Sequence, residues 1–281
     1  MMTNFLVWNT NKKPLNEIIV QLVKEHEVDV LLLIEPNQGA TSLLSRLNNV
    51  GPFQVVESQA RFRLLTKFDS FLIERIKPFI EDKDKRSDYW HLKLPGRADV
   101  LLVGIHGYDM INYQQDAREM LLARVAENIK FIEDNTTRHK RTIVFGDFNA
   151  NPYDSAVGSL RGLHALQIPS VAGKPSRPHA EQQHEFFYNP MWAHLGSGGG
   201  KPPATYYYYK YRPHEVFWHM LDQVVLRPAA LPLFPEGELK IIHEVAGSSL
   251  LKADGTPDAK LASDHLPLFF RLDLKKGGTD G

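Results

Sequence analysis

The sequence predicts an α/β fold of layered sheets, and three observations carry that reading. Two runs, VDVLLLI at 28–34 and DVLLVGIH ending at His106, are almost continuously apolar, as strands covered on both faces are. Helical patterns with a single buried face occur in both halves of the chain. Between them, residues 53–105 read as several strands with short connections. Neither a repeat nor a clean linker divides the chain, which favours one domain over two.

Taken in order, residues 4–8 form a first strand that ends near Asn9 and Asn11. Pro14 suits the first turn of a helix, and Leu15, Ile18, Ile19, Leu22 and Val23 follow at the spacing of one buried face. The strand at 28–34 stops at Glu35-Pro36, and a short helix is expected around 40–47. Strands at roughly 53–57, 61–66, 70–76, 88–94 and 98–105 come next, the last ending at His106. A long helix over 113–134 presents Met120, Leu121, Ala123, Val125, Ile129 and Ile132. Residues 169–204, rich in Pro, Gly and His and containing GSGGGKPP, read as a long loop or flap. Further strands are expected at 204–209, 221–226, 239–245 and 266–272. Residues 1–274 thus make one domain, and 275–281 a flexible tail.

Composition narrows the function classes. Of 281 residues, 43% are hydrophobic and 23% charged, the proportions of a globular protein with a real core. Lys plus Arg and Asp plus Glu both total 33, so no global field attracts a polyanion. Binding of one must come from a local patch or from bound cations. There is no cysteine, which excludes disulfides, thiolate zinc sites and a cysteine nucleophile. No export signal and no run long enough to cross a bilayer are recognisable, so membrane insertion is not expected and a cytoplasmic location is.

The most informative stretch is GDFNANP, which follows the apolar run RTIVF. Gly146 ends a buried strand and allows a close backbone approach. Asp147 and Asn149, two residues apart, point to one side of an extended chain, and Pro152 blocks continuation of the strand. A carboxylate and an amide so placed can both face a phosphate. A turn that uses Asp and Asn for their side-chain hydrogen bonds is the structural alternative. Four apolar strands end in a residue of catalytic type: Asn9, Glu35, His106 and Asp147. Asp222, inside LDQVVL, and Asp264-His265, heading SDHLPLFF, complete the set. Singly, each is explicable as a surface residue, a cap or an edge device. Jointly they cluster after core strands, where open α/β folds build ligand sites.

The ordered set WN, IE, GIH, GDFNA, LDQV and SDH, spanning nearly the whole chain, resembles the endonuclease/exonuclease/phosphatase superfamily, which includes deoxyribonuclease I and the apurinic-site endonucleases. LLTKFDS is similar to the family's strand after its metal-binding glutamate. The resemblance implies a four-layer α/β/β/α sandwich, with two mixed, mostly antiparallel sheets packed face to face and helices outside. It implies hydrolysis of phosphate esters with a divalent metal, magnesium first and manganese as the alternative. By position, Glu35 matches the metal-binding glutamate and Asn9 the asparagine supporting metal and phosphate. Asp147 matches the carboxylate that positions water, and Asn149 the amide on the phosphate. His106 corresponds to the histidine of the deoxyribonuclease I-like branch. Asp264 and His265 match the closing pair, Asp264 as a metal ligand, with Asp222 placed to orient His265. Asn11 stands where abasic-site enzymes carry an aspartate, which weakens or removes one metal ligand. No carboxylate partner for His106 is evident; Glu57 and Glu74 are the candidates.

The chemistry is consistent with those roles. Magnesium takes oxygen ligands and needs only one or two carboxylates, and histidine transfers protons or, when charged, stabilises a phosphorane. Either Asp147 or His265 can be the base. For substrate, the residues resemble the nuclease branch more than the inositol-phosphatase branch, so DNA or RNA is the expected partner. TYYYYKYRP at 205–213 interleaves aromatic faces with cations, which suits stacking on bases, although a strand with packed tyrosines explains it as well. Candidate substrate-binding residues are Asn11, Asn151, Tyr207, Lys210 and Arg212. The other enzyme reading is a phosphatase or phospholipid phosphodiesterase of inositol-phosphate or sphingomyelin type. A catalytically inactive binding module is the reading from another class, and retention of the whole residue set argues against it.

Overall fold

The structure is a computed structural model that describes residues 2–37, 40–174, 176–196, 202–210 and 216–277. Thirteen strands in two sheets carry it. One sheet contains β1 (Thr3–Asn9), β2 (Val30–Ile34), β3 (Gln54–Val56), β4 (Phe62–Thr66), β12 (Leu239–Ile241) and β13 (Leu268–Leu272). Its order is β12-β13-β1-β2-β4-β3. The other contains β5 (Ile73–Ile76), β6 (Ser87–Leu92), β7 (Val100–His106), β8 (Thr142–Asp147), β9 (Ala165–Leu166), β10 (Phe187–Tyr188) and β11 (Asp222–Leu226). Its order is β5-β6-β7-β8-β11-β10-β9. Only β1–β2, β7–β8 and β9–β10 pair in parallel, so both sheets are mixed and mostly antiparallel.

Strand patterning explains the layers. Alternate residues of β1, β2, β7 and β8 point to opposite sides, and all of them are buried, the polar ones lying at the strand ends. Phe5, Val7 and Leu32 of one sheet meet Leu102, Ile143 and Phe145 of the other in a shared core. Three rings lock the sheets together: Phe5 stacks on Phe270 at 4.9 Å, and the Phe145 ring meets Phe5 and Phe270 edge-on at 6.2 and 5.5 Å. The intervening residues face outward to helices. Leu6, Trp8, Leu31 and Leu33 are covered by α1 (Asn16–Glu25) and α2 (Ala40–Leu47) through Ile19, Leu22, Leu43 and Leu47. Leu101, Val103, Ile105 and Val144 are covered by α3 (Gln115–Ile132) through Leu122, Val125 and Ile129. The result is the α/β/β/α sandwich.

Two segments differ from expectation. Residues 169–204 hold a helical turn (Pro169–Ala172), a hairpin (Ser176–His179 with Gln182–Glu185), strand β10 and a 3-10 segment (Pro190–His194). Phe186, Phe187 and Met191 are buried there and anchor the segment despite its Pro and Gly content. At the other end, Leu274 is buried at the start of a 3-10 turn, so ordered structure runs to Gly277. Residues 278–281 lie outside the described residues. Helix α1 starts at Asn16, two residues past Pro14, the usual uncertainty of a terminus read from sequence. No helix among the described residues is long and apolar enough to cross a membrane.

Candidate active site

Register alone gathers most of the candidate residues at one end of both sheets. In the parallel pair β1–β2, Asn9 lies opposite Ile34 and hence beside Glu35. In the second sheet, Asp147 is opposite His106 on one side and Asp222 on the other. Asp264 and His265 arrive from the loop before β13. That loop is pinned by the Trp8 indole N–H donating to the His265 carbonyl at 2.8 Å, and by the Ser263 hydroxyl donating to the Asn9 carbonyl at 2.6 Å.

Gly146 makes this register possible. Its φ is 147°, and a Cβ there would sit 2.2 Å from the Ile105 carbonyl oxygen of the neighbouring strand. Gly146→Ala is therefore expected to destabilise the fold by at least about 1 kcal/mol and to lower turnover by displacing Asp147. Denaturant melts and turnover of the same preparation check both effects. Backbone strain is concentrated nearby: Asn11, Lys12, Glu35 and Asn149 all have positive φ, between 45° and 57°. For Glu35 this costs on the order of 1 kcal/mol. It is held by its N–H donating to the Arg61 carbonyl at 3.0 Å, and by Lys12 N–H and the Thr10 hydroxyl donating to its own carbonyl at 2.8 and 2.9 Å.

Asp147 is the hub. It is 1% exposed. Its Oδ2 accepts from Asn9 Nδ2 at 2.8 Å and Asn149 Nδ2 at 3.1 Å, and its Oδ1 from Asn149 N–H at 2.9 Å. A carboxylate has about four lone-pair sites, so these three bonds leave room for one more donor. His265 Nδ1 donates to Asp222 Oδ2 at 2.8 Å, and its Nε2 lies 3.9 Å from Asp147 Oδ2. His106 Nε2 lies 3.7 Å from Glu35 Oε1 and 3.8 Å from Asp147 Oδ2. Glu35, His106, Asp147 and His265 thus form a chain of neighbours that joins the two sheets.

The two histidines are driven in opposite directions. Burial opposes the charged form of both. For His265, burial is outweighed by Asp222 and Asp147 together, and its pKa rises to about 10. For His106 burial wins over the attraction of Asp147, with Arg86 and Arg61 adding to it, and the pKa falls to about 4. His265 is therefore an imidazolium at neutral pH and His106 a neutral ring. Burial, reinforced by the charge of Asp222, pushes the Asp147 carboxyl up, although His265, His106 and the Asn9 amide pull the other way.

A cavity of about 530 Å³ opens over this cluster. Asn9, Asn11, Glu35, Asp147, Asn149, Asp264 and His265 all line it. Asn11 Nδ2 donates to Asp264 Oδ1 at 3.0 Å, tying the amide to the carboxylate that closes the site. Asp222 is 0% exposed and lies behind His265, where it orients the ring. His106 does not line the cavity; it backs the Glu35 and Asp147 carboxylates. Its proposed partners are elsewhere, since Glu57 pairs with Arg75 and Glu74 with Lys93.

The substrate-binding candidates are redistributed. Tyr207 turns away, against Trp218 at 5.3 Å and Phe217 at 6.2 Å, while Tyr206 and Tyr208 line the cavity. The two-residue period of an extended chain puts alternate tyrosines on opposite sides. Tyr206 lies 4.8 Å from the His265 ring. Asn151 is buried and structural: its Oδ1 accepts from Met220 N–H, and its Nδ2 meets His219 Nδ1 at 3.1 Å. The Lys210 ammonium lies over Tyr209, 6.0 Å from the ring centroid and off the cavity wall. Arg212 lies outside the described residues. Sequence reasoning missed Met110, Ile111 and Leu221, apolar members of the wall. Leu221 was readable as the neighbour of Asp222 in LDQVVL, whereas nothing in GYDMINY marks Met110 and Ile111.

A divalent ion fits the donor set. Glu35, Asp147, Asp264, Asn9 and Asn11 offer only oxygen acceptors, as hard cations prefer. Asp147, Asp222 and His265 also bring ligand atoms within 4.8 Å of one another. There, however, His265 is already bonded to Asp222, and an imidazolium has no lone pair to give. The Glu35 side is the better cradle.

A phosphoesterase of the two-sheet sandwich type is what this fold and pocket define. The sequence profile described as Endonuclease/Exonuclease/phosphatase family matches residues 6–265, and the chain belongs to that family. Members of the family hydrolyse phosphoesters. Solved structures share the fold at low identity. D. rerio TDP2 complexed with a single-strand DNA product has 16% identity and a TM-score of 0.58, covering 96% of this chain and 98% of that one. ANGEL2, a 2′,3′-cyclic phosphatase, has 14% identity and a TM-score of 0.60, with 98% and 96% covered. The endonuclease domain of TRAS1, a telomere-specific retrotransposon, has 15% identity and a TM-score of 0.52, with 98% and 100% covered. No match was found among curated proteins.

Proposed function

We propose that this protein is a divalent-metal-dependent phosphodiesterase that hydrolyses nucleic acid. The single observation that carries the chemistry is Asp147. It is a buried carboxylate with one acceptor position left, set beside an imidazolium and open to a cavity that Glu35 and Asp264 also line. A magnesium or manganese ion held by Glu35, with Asp264 and Asn9 nearby, would polarise the phosphoryl group and offset its charge.

The chain's own residues supply the rest. Asp147 takes the proton of the attacking water at its remaining lone pair, since its raised pKa makes it a better base than a solvated aspartate. The water oxygen then bonds to phosphorus and the ester bond to the leaving oxygen breaks. His265, protonated on both nitrogens, cannot serve as base; its Nε2–H donates to a phosphoryl oxygen as negative charge develops. Asn149, whose Nδ2 donates to Asp147 Oδ2 and to the Gly107 carbonyl, holds the Asp147 carboxylate at the cavity wall. His106 stays neutral and packs behind Glu35 and Asp147.

Nucleic acid is favoured by the residues around the chemistry. Tyr206, 4.8 Å from the His265 ring, and Tyr208 bring aromatic rings to the cavity wall. The TDP2 and TRAS1 relatives are described as bound to a DNA product and as an endonuclease. A small phosphoester is the second reading, favoured by a cavity wall with no Lys or Arg among the described residues and by the description of ANGEL2. Purified protein is to be incubated with plasmid, single-stranded DNA, RNA, a 2′,3′-cyclic nucleotide, inositol phosphates and sphingomyelin, each with magnesium or EDTA. Metal-dependent cleavage of a nucleic acid is the expected result. Hydrolysis of the small esters alone would overturn it.

A further inference from the structure

Another cavity, of about 430 Å³, adjoins the catalytic cavity at Glu35. Lys12, Arg61, Arg63 and Ser58 are on its wall, and Glu35 belongs to both walls. The distribution of charge between the two is lopsided. Four acidic residues, Glu35, Asp109, Asp147 and Asp264, face the catalytic cavity with no Lys or Arg among the described residues. The neighbouring cavity has three cations against one carboxylate.

None of those cations forms an ion pair among the described residues. Arg61 uses its Nε–H on the Asp84 carbonyl at 2.8 Å, and Arg63 one NH1 proton on the Asn37 carbonyl at 2.8 Å. Each guanidinium has five N–H donors in a planar fork, so most remain for an anion. Both side chains are half-buried. Removal from water without a counter-charge is unfavourable, and for Arg63 burial alone lowers the pKa. A fold keeps such a group at a cost unless an anion visits it.

The cations are also fixed relative to the chemistry. Glu35 N–H donates to the Arg61 carbonyl, and Lys12 N–H donates to the Glu35 carbonyl. The segments carrying them are therefore bonded directly to the residue that would hold the metal. We propose that this cavity is a subsite for a second phosphate of the substrate, adjacent to the phosphodiester that is cleaved, with Lys12, Arg61 and Arg63 as its ligands. It gives the substrate a direction: its flat apolar part lies toward Tyr206, Tyr208, Met110 and Ile111, and its next phosphate toward the arginines. The identity of the substrate as a nucleic acid strand rests on the reading above, whereas the preference for a second phosphate does not.

Equilibrium binding separates the two, because it needs no turnover. The full chain is titrated, with calcium present, with thymidine 5′-monophosphate and thymidine 3′,5′-bisphosphate, and in parallel with inositol 1-phosphate and inositol 1,4-bisphosphate. The bisphosphate nucleoside is expected to bind roughly tenfold to a hundredfold more tightly than the monophosphate, the size of one or two charge-assisted hydrogen bonds. Arg61→Ala/Arg63→Ala should abolish that gain and leave monophosphate binding unchanged. Lys12→Ala, at an exposed side chain, should reduce it. Equal affinity of the wild type for one and two phosphates, or a gain that survives both variants, would overturn the subsite. A gain confined to the inositol pair, lost in the variants, would uphold the subsite and overturn the nuclease reading.

Discussion

Asp147→Ala is expected to lower turnover by roughly 10²–10⁴-fold, the range associated with loss of a positioned general base. The expectation follows from what meets at this one side chain. Asn9, Asn149, His106 and His265 arrange themselves around its two oxygens, and two sheets deliver them. Folding should survive. Removing a buried carboxylate that lies next to Asp222 relieves an unfavourable charge while it strands three donors, and the three hydrophobic clusters that hold the layers do not include it. Circular dichroism and denaturant melts close to wild type, together with the loss of turnover, check both halves. A variant that keeps near-normal cleavage removes Asp147 from the chemistry.

The second large effect belongs to His265 and shows as a pH profile. Its pKa is raised to about 10, so the imidazolium persists across neutral pH and is lost only as pH rises through that value. The sign is fixed by linkage. A raised histidine stabilises the fold fully below its ordinary value of 6.5, and that contribution disappears as pH climbs through the folded value. If the charged ring works as a donor to phosphate, kcat should hold from neutral pH and fall near 10. Asp222→Asn removes the charge that most raises His265, so the alkaline limb should move toward neutrality and the maximal rate should drop. His265→Ala should lose roughly 10²–10⁴-fold at neutral pH. An alkaline limb already at pH 6–7 in the wild type would mean a neutral ring acting as base.

Much of this architecture was legible because it rests on local patterns. The double-sided burial of β2, β7 and β8 follows from continuous apolar runs, and the helix faces follow from spacing. The ends of those strands then announce Glu35, His106 and Asp147, because a polar residue interrupting a buried run stands out. What sequence could not supply was the side of an extended segment that faces inward. TYYYYKYRP offers every tyrosine equally, and only pairing of Tyr206 and Tyr207 with Trp218 and His219 decides that Tyr207 turns outward. Asn151 is expected among the substrate-binding residues, but its side chain points into the fold and bonds Met220. Residues 169–204 looked like loop because Pro and Gly dominate their composition, while a few buried side chains, Phe186, Phe187 and Met191, fix them. The carboxylate neighbours of His106 were invisible because they come from Glu35 and Asp147 themselves, across two sheets.

The central claim is that a metal bound at Glu35 and the Asp147–His265 pair act on one phosphate. Its most direct test is the magnesium dependence of single-stranded DNA cleavage by wild type and Glu35→Gln. EDTA should abolish cleavage by the wild type and magnesium restore it, while Glu35→Gln should need at least roughly tenfold more magnesium, as loss of a carboxylate ligand implies. Cleavage that persists in EDTA, or an unchanged magnesium requirement in Glu35→Gln, would contradict the account.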